Sequence, residues 1–500
     1  MAIVKVLGME TEYGIIIRGS AEPNPIAASS TLINAYVAEL SRKVPWDFED
    51  ETPGRDARGF AREGAMPPMV ETHLVNAVLT NGARYYVDHA HPEYSTPECA
   101  DVYDALLYDK AGELILARSV AAASHFLPPG QSILVLKNNS DGKGNSYGTH
   151  ENYLMARSLP FARIVSQVMP HFVSRQIYTG AGKVGSESTA TNEQPVEFQL
   201  SQRADFFEEE VGLETTLKRP IVNTRDEPHC DAQKYRRLHV IVGDANLSEV
   251  AGFLKIGTSA LVLSMIEDDW FTRAGNRDLS LLAPVTALRQ VSYDLTLRQP
   301  IALANGGTIT ALDMQWEHLD LARKYGEECG FDSVGGADIG GDILRRWEEV
   351  LTALEADPMG LAARLDWVAK YRVINGYRER HGLSWSDPKL AAMDLQYHDV
   401  RPERSLYARL GMERILDPAD IDRAVSEPPE TTRAYFRGKC LQRWGSSIAA
   451  ANWDSLVFDL GTDPLRRVPM MEPLRGTKAH VEELLNRVSG PAELLAQLGS

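Results

Sequence analysis

The chain of 500 residues carries a formal net charge of -17, with 44% hydrophobic and 24% charged residues. That length exceeds the size at which one core keeps growing, so at least two structural units are expected. The acidic balance argues against general nucleic-acid binding, which rests on Lys and Arg neutralising phosphates, and no apolar run approaches the ~20 residues that span a bilayer.

Cys99, Cys230, Cys329 and Cys440 are too scattered for a CxxC metal site or a disulfide framework, and the N-terminus reads as a first strand; a reducing, cytoplasmic setting is expected. Residues 3–13 alternate as a strand does, placing Val4, Val6, Gly8, Glu10 and Glu12 on one side. Gly8 leaves room for a close approach to the backbone. Two carboxylates on one side call for a cation or an Arg, unless they form a solvent-facing strand end. A turn at 22–26 precedes helical spacing over 31–40. Residues 41–74 then lose all period and gather Pro, Gly and charge, the texture of a long mobile loop; such loops often serve as lids or regulatory elements.

From Arg84 to Asp88 a strand is predicted, with Arg84, Tyr86 and Asp88 on one face and Tyr85 and Val87 on the other. Pro92 is expected to end the run in the sheet and to return Glu93, Ser95 and Thr96 toward the same polar front. Carboxylates, a phenol and hydroxyls form a hard oxygen set suited to magnesium shared with phosphates; the alternative is a sheet edge of solvated charges. Helical spacing follows over 100–124 and a buried strand over 132–139. Residues 146–153, with His150, Glu151 and Asn152 beside Gly148, read as a binding loop, and 154–178 as helix-like. The glycine-rich 179–185 lacks the GK[ST] ending of a phosphate-binding P-loop. Residues 223–229 supply further polar groups, read most simply as Arg225 paired with Asp226 or Glu227. Over 234–243, period two puts Arg237 and His239 together in front of Leu238, Val240 and Val242, and Asn246 is a candidate cap for the helix beyond. Helices dominate from 311 onward, including 314–329, 343–356 and 359–376. A boundary is expected near 421–430, and Trp453 stands before an apolar strand, where it stacks on a base or covers a domain interface.

Five stretches together resemble the Pup ligase and Pup deamidase/depupylase family across nearly the whole chain: Gly8-Met9-Glu10-Thr11-Glu12-Tyr13-Gly14, the segment from Asp88 to Glu98, Tyr147-Gly148-Thr149-His150-Glu151-Asn152-Tyr153, Asn223-Thr224-Arg225-Asp226-Glu227-Pro228-His229, and Arg236 to Asp244. Within that family the short spacing Asp88-His89-Ala90-His91-Pro92-Glu93, the passage Asn24-Pro25-Ile26 and the long 41–74 loop favour the deamidase/depupylase branch over the ligase.

The resemblance implies an α+β fold similar to glutamine synthetase: a large catalytic domain over 1–425, with a curved antiparallel sheet packed by helices, and a small domain over 426–500. It implies ATP and magnesium as cofactors. Glu10, Tyr86, Glu93, His150 and His239 match magnesium-site positions, and Ser95, Thr96, Asn152, Arg237 and Trp453 match positions at the nucleotide, where Gly8, Met9, Glu12 and Arg84 are also placed. Asp88 matches the catalytic aspartate, as nucleophile or as general base. The implied reaction converts the C-terminal glutamine of Pup to glutamate, or hydrolyses the isopeptide bond between that glutamate and a protein lysine. Pup and pupylated proteins are then the partners, with a functional link to a proteasomal ATPase. Ligase activity is the alternative, and a silent Pup-binding adaptor a further one, against which the joint presence of Glu10, Asp88, Glu93 and His239 counts.

Overall fold

In the computed structural model, which describes residues 1–40, 43–49, 51–59, 75–187, 196–273, 275–461 and 463–499, the alternating run at the N-terminus becomes β1 (Leu7–Glu12). It lies inside a seven-stranded antiparallel sheet with β2 (Val44–Pro45), β3 (Asn76–Val78), β4 (Arg84–Asp88), β5 (His91–Ser95), β6 (Thr149–Ala156) and β7 (Tyr235–Val240). The order is β7-β6-β1-β5-β4-β3-β2. Tyr85 and Val87 of β4 are buried while Arg84, Tyr86 and Asp88 stay part-exposed at the front, as period two requires.

Behind the sheet, helices Pro25–Glu39, Val102–Ala123 and Glu249–Glu267 cover the apolar face and build the main core. Asp101 starts the second of these by accepting the Asp104 N–H. Helix Glu249–Glu267 is long and apolar enough to cross a membrane, yet it is wholly buried, packed by helices Val102–Ala123, Phe161–Ser174 and Ala337–Ala356. It is a core helix, and it corrects the expectation that no apolar run in the chain approaches a membrane-spanning length.

Four local expectations are corrected. Pro92 does not leave the sheet: it sits inside β5, opposite Val87, whose N–H donates instead to the Val75 carbonyl. Pairing of β5 with β1 begins at Glu93, so no carbonyl waits for the N–H that Pro92 lacks, and its own carbonyl accepts from Tyr13. The turn is made earlier, at His89, with φ of 51°. Residues 149–156, divided above between a loop and a helix, are strand β6; the helix starts at Phe161. The cap of helix Glu249–Glu267 is Ser248, whose hydroxyl accepts from Ala251, while Asn246 donates to the Thr179 carbonyl and to Asp366. Finally, the described part of 41–74 carries structure. Val44–Pro45 extends the sheet, Trp46 is buried and bridges Ala451, and Asp56 bridges Arg225. The remainder of that stretch, 41–42, 50 and 60–74, lies outside the described residues.

Helix Ala434–Trp444, the three-stranded sheet β8 (Ile448–Ala451), β9 (Ser455–Phe458) and β10 (Arg466–Pro469), and helices Lys478–Arg487 and Pro491–Leu498 enclose a second apolar cluster. Val44, Trp46 and Val78 of the large sheet's edge enter it. A buried ion cluster joins the two parts. Glu98, just past β5, meets Arg433 at 2.7 Å and Arg437, and Arg437 also donates to the carbonyls of Gly82 and Trp453 at 2.9 and 2.8 Å. Burial pushes the Glu98 carboxyl up, but the two guanidiniums overcome it and hold the group down at about 2.

Because that value lies below the unfolded one, the cluster contributes its full stability above pH ~4.3 and loses it as the pH falls toward 2. Glu98→Gln leaves two buried cations short of their anion, at a cost on the order of 3–5 kcal/mol. Urea unfolding should show that loss at pH 7, and a smaller gap between wild type and variant at pH 3.

Candidate active site

Register decides which side chains meet. Across β1 and its neighbours, Glu10 lies opposite Ser95 on one side and His150 on the other, and Glu12 opposite Glu93; Tyr86 pairs with Glu93, and His239 with Asn152. The side chains of Glu10, Glu12, Tyr86, Glu93, Ser95, His150 and His239 line the front of the sheet in a cavity of ≈ 480 Å³.

Two donor triads form there, each with its ligand atoms within 4.8 Å of one another: Glu10, His150 and His239, and Glu12, Asp88 and Glu93. The first is a mixed nitrogen and oxygen set. Asn152 donates to Glu10 at 2.9 Å, Arg237 lies 3.6 Å from it, and His150 Nδ1 is 3.4 Å away. Burial pushes Glu10 up, but the His150 hydrogen bond and the charges of His239 and Arg237 bring it well below the usual carboxylate range. His239 Nδ1 lies 3.0 Å from Arg237 and 3.1 Å from Asn152, which leaves Nε2 for a metal, and burial lowers this imidazole far enough to keep it neutral.

The second triad is all carboxylate. Burial, then the charges of Asp88, Glu12 and Glu10, push Glu93 well above its ordinary value; burial and Asp88 raise Glu12. Asp88 goes the other way: burial raises it, but the His89 Nδ1 contact at 3.0 Å and the charges of His89, Arg84 and His150 hold it low. One anion is thus kept beside two carboxyls that resist ionising. Oxygen donors of this kind suit a magnesium ion, and a divalent cation removes the repulsion. Tyr86, expected among the magnesium ligands, meets the site through Glu93: burial and Glu93 push its phenol well up, so it stays protonated and donates to that carboxylate. Glu12, expected at the nucleotide, stands in the carboxylate triad.

An apolar slot of ≈ 80 Å³ opens beside the cavity, lined by Leu7, Gly8, Met9, Thr96, Asn152, Leu154 and Pro228, with Glu10, Ser95, His229, Arg237 and Trp453 shared between the two spaces. A Cβ on Gly8 would meet only Thr96 Oγ1 at 3.8 Å and Asn152 Cβ at 3.9 Å, so packing does not demand glycine here; the missing side chain widens the slot. All fifteen residues singled out from the sequence line the cavity or the slot. The sequence reading missed Glu51, Arg203 and Arg219, and it read Arg225 and Glu227 as a loop ion pair, which they are at 3.0 Å, although both face the cavity. Arg203 is buried; burial and then the charge of Arg219 lower it to about 10. Neither arginine sits in a periodic run, so no local pattern reveals it.

The profile of the family described as Pup-ligase protein matches residues 5–457. This chain belongs to that family. Among curated relatives, the family member named depupylase from Acidothermus cellulolyticus is 55% identical over 99% of both chains. The Pup deamidase/depupylase of Mycobacterium tuberculosis is 49% identical over 99% of both. A Pup–protein ligase from Acidimicrobium ferrooxidans is 41% identical, covering 97% of this chain and 99% of its own. Two solved Pup ligase structures share the fold: one in complex with Pup, at a TM-score of 0.80 and 30% identity over 99% of this chain and 94% of its own, and one in complex with ADP, at 0.74 and 34% over 82% and 89%.

Neutralising one member of the crowded triad should relax the metal-free protein. Glu93→Gln is expected to raise its melting temperature and to abolish most of the stabilisation that added magnesium gives the wild type. Since the raised Glu93 carboxyl binds its proton more tightly when folded, the gap in stability between the metal-free variant and the metal-free wild type should narrow as the pH drops. Scanning calorimetry with and without magnesium, at pH 8 and pH 6, checks both signs.

Proposed function

We propose that this chain is a Pup deamidase and depupylase that uses ATP and magnesium as cofactors. It hydrolyses the side-chain amide of a C-terminal glutamine of Pup and the isopeptide bond that joins Pup to a protein lysine. The single observation that carries this reading is Asp88: an anionic carboxylate at the cavity front, beside two donor triads, in a chain more alike to depupylases than to a ligase. The ligase structures share the fold, so fold alone does not separate the two activities.

The residues present fit the cofactors. The slot offers an apolar floor and the Trp453 indole to a purine, and the missing Cβ of Gly8 makes room for it. Arg84, Arg225 and Arg237 line the adjoining cavity, where phosphate oxygens need cations. Glu12 and Glu93 would hold magnesium at the carboxylate end, and Glu10, His150 and His239 at the other. A bound magnesium ion would supply the positive charge that the carboxylate end lacks.

An amide carbonyl is a poor electrophile, so hydrolysis needs an activated nucleophile and a place for the charge that develops on oxygen. Asp88 meets the first need, by attacking the carbonyl carbon or by taking a proton from the attacking water. His89 Nδ1, 3.0 Å from its outer oxygen, steadies the carboxylate in its anionic form. The arginines of the cavity wall, Arg203 and Arg219 among them, provide positive charge for the reacting end of the substrate.

Incubation with ATP and, separately, Pup ending in glutamine, a pupylated protein, and Pup ending in glutamate plus an acceptor protein is read by mass spectrometry. Release of ammonia from the first and of free Pup from the second is expected; conjugate formation in the third, without hydrolysis in the others, would assign the ligase activity instead. Asp88→Asn should cut amide hydrolysis at least ~10²-fold at saturating ATP while Pup binding persists; full rescue by excess magnesium would reduce Asp88 to a metal ligand.

Gly8→Ala narrows the slot without a clash, its Cβ standing 3.8 Å from Thr96 Oγ1 and 3.9 Å from Asn152 Cβ. Its expected signature is ATP affinity lowered about tenfold or more by isothermal calorimetry, at an unchanged melting temperature of the nucleotide-free protein.

A further inference from the structure

We infer that Trp46 is a positioning residue: its indole holds the Arg84 guanidinium against Tyr86 at the cavity wall, so that Trp46 and Glu51 set the affinity of the site for phosphate. The inference rests on the nucleotide reading above. It comes from a row of stacked groups outside the donor triads. The Arg84 guanidinium lies between two aromatic faces, 4.1 Å from the Trp46 ring centroid and 3.9 Å from that of Tyr86. Trp46 does not line the cavity; Arg84 does, as does Glu51. The indole N–H donates to Glu51 at 2.7 Å, and the same carboxylate oxygen stands 3.9 Å from Arg84. Glu51 therefore ties the ring and the cation together.

Trp46 is in turn held from outside the large sheet. Its ring meets Trp453 edge-on at 5.1 Å, its backbone bridges Ala451 of β8, and the next N–H, of Asp47, donates to the Ala451 carbonyl at 2.9 Å. A tryptophan that merely filled space would not need its N–H directed at a carboxylate beside a cavity cation. An arginine on a flexible stem loses rotamer freedom whenever it grips a phosphate; one already sandwiched between two rings has lost it before the ligand arrives. Lysine at position 84 would keep the charge and lose the planar stack. The chemistry recognised is thus the phosphate chain of the nucleotide, with the purine left to the slot.

The test is a double-mutant cycle on the full chain, read by calorimetric affinity for ATP and for adenosine. Trp46→Leu is expected to weaken ATP about tenfold and adenosine hardly at all. Arg84→Ala should do the same, and the double variant should be no worse than Arg84→Ala alone, because both changes remove one arrangement. Trp46→Phe keeps the apolar packing with a smaller ring and no N–H, and should weaken ATP a few-fold; it carries the comparison if Trp46→Leu does not fold. Equal losses for ATP and adenosine would place the effect in the slot through Trp453 and overturn the inference, as would additive losses or unchanged ATP affinity in a Trp46 variant. A wild type without ATP affinity would overturn the nucleotide reading together with it.

Discussion

The front of the sheet depends on the antiparallel register of β1 with β5 and β6. That register sets Glu10 between Ser95 and His150 and puts Glu12 opposite Glu93, so five strands deliver their side chains to one place without any loop having to be ordered first. A slip of one residue would turn Glu10 and Glu12 into the apolar core and bring Met9 and Thr11 forward, which the burial of the back face forbids. The core is therefore what aims the chemistry: Leu7, Met9, Tyr85 and Val87 are buried, and the polar residues between them have nowhere else to point.

The same crowding divides labour among identical groups. Glu10 is drawn down by histidines and an arginine, Glu93 is pushed up by burial and then by three other carboxylates, and Asp88 stays low through its neighbour His89. Chemically equal side chains thus acquire different proton affinities from position alone, which is how one surface can offer a metal ligand and a reactive anion side by side.

Much of this was legible because strand periodicity is short and strict. Spacing two alone puts Arg84, Tyr86 and Asp88, Glu10 and Glu12, and Arg237 and His239 each on a shared face, and each pair or trio lies on one. What failed were decisions that tertiary partners make. Pro92 fits a central strand only because β1 pairs from Glu93 onward, and Asn246 gives up the cap because Thr179 and Asp366 hold its amide. His150 to Ala156 hides its alternation because a charged residue, Glu151, takes a core-side position, where the buried Arg175 meets it at 2.7 Å. Arg203 and Arg219 reach the cavity from aperiodic stretches, and nothing near them in the chain announces it.

Helix Glu249–Glu267 sets a condition on how the polypeptide must be made. On leaving the ribosome it is as greasy as a membrane anchor, and two of the helices that shield it, Val102–Ala123 and Phe161–Ser174, have already been synthesised, but the third, Ala337–Ala356, arrives some seventy residues later. Through that interval one flank of the helix has no partner, at a translation speed of roughly 5–20 residues per second. A holdase that covers apolar segments would find its client in this window, and slower elongation just downstream would lengthen the exposure.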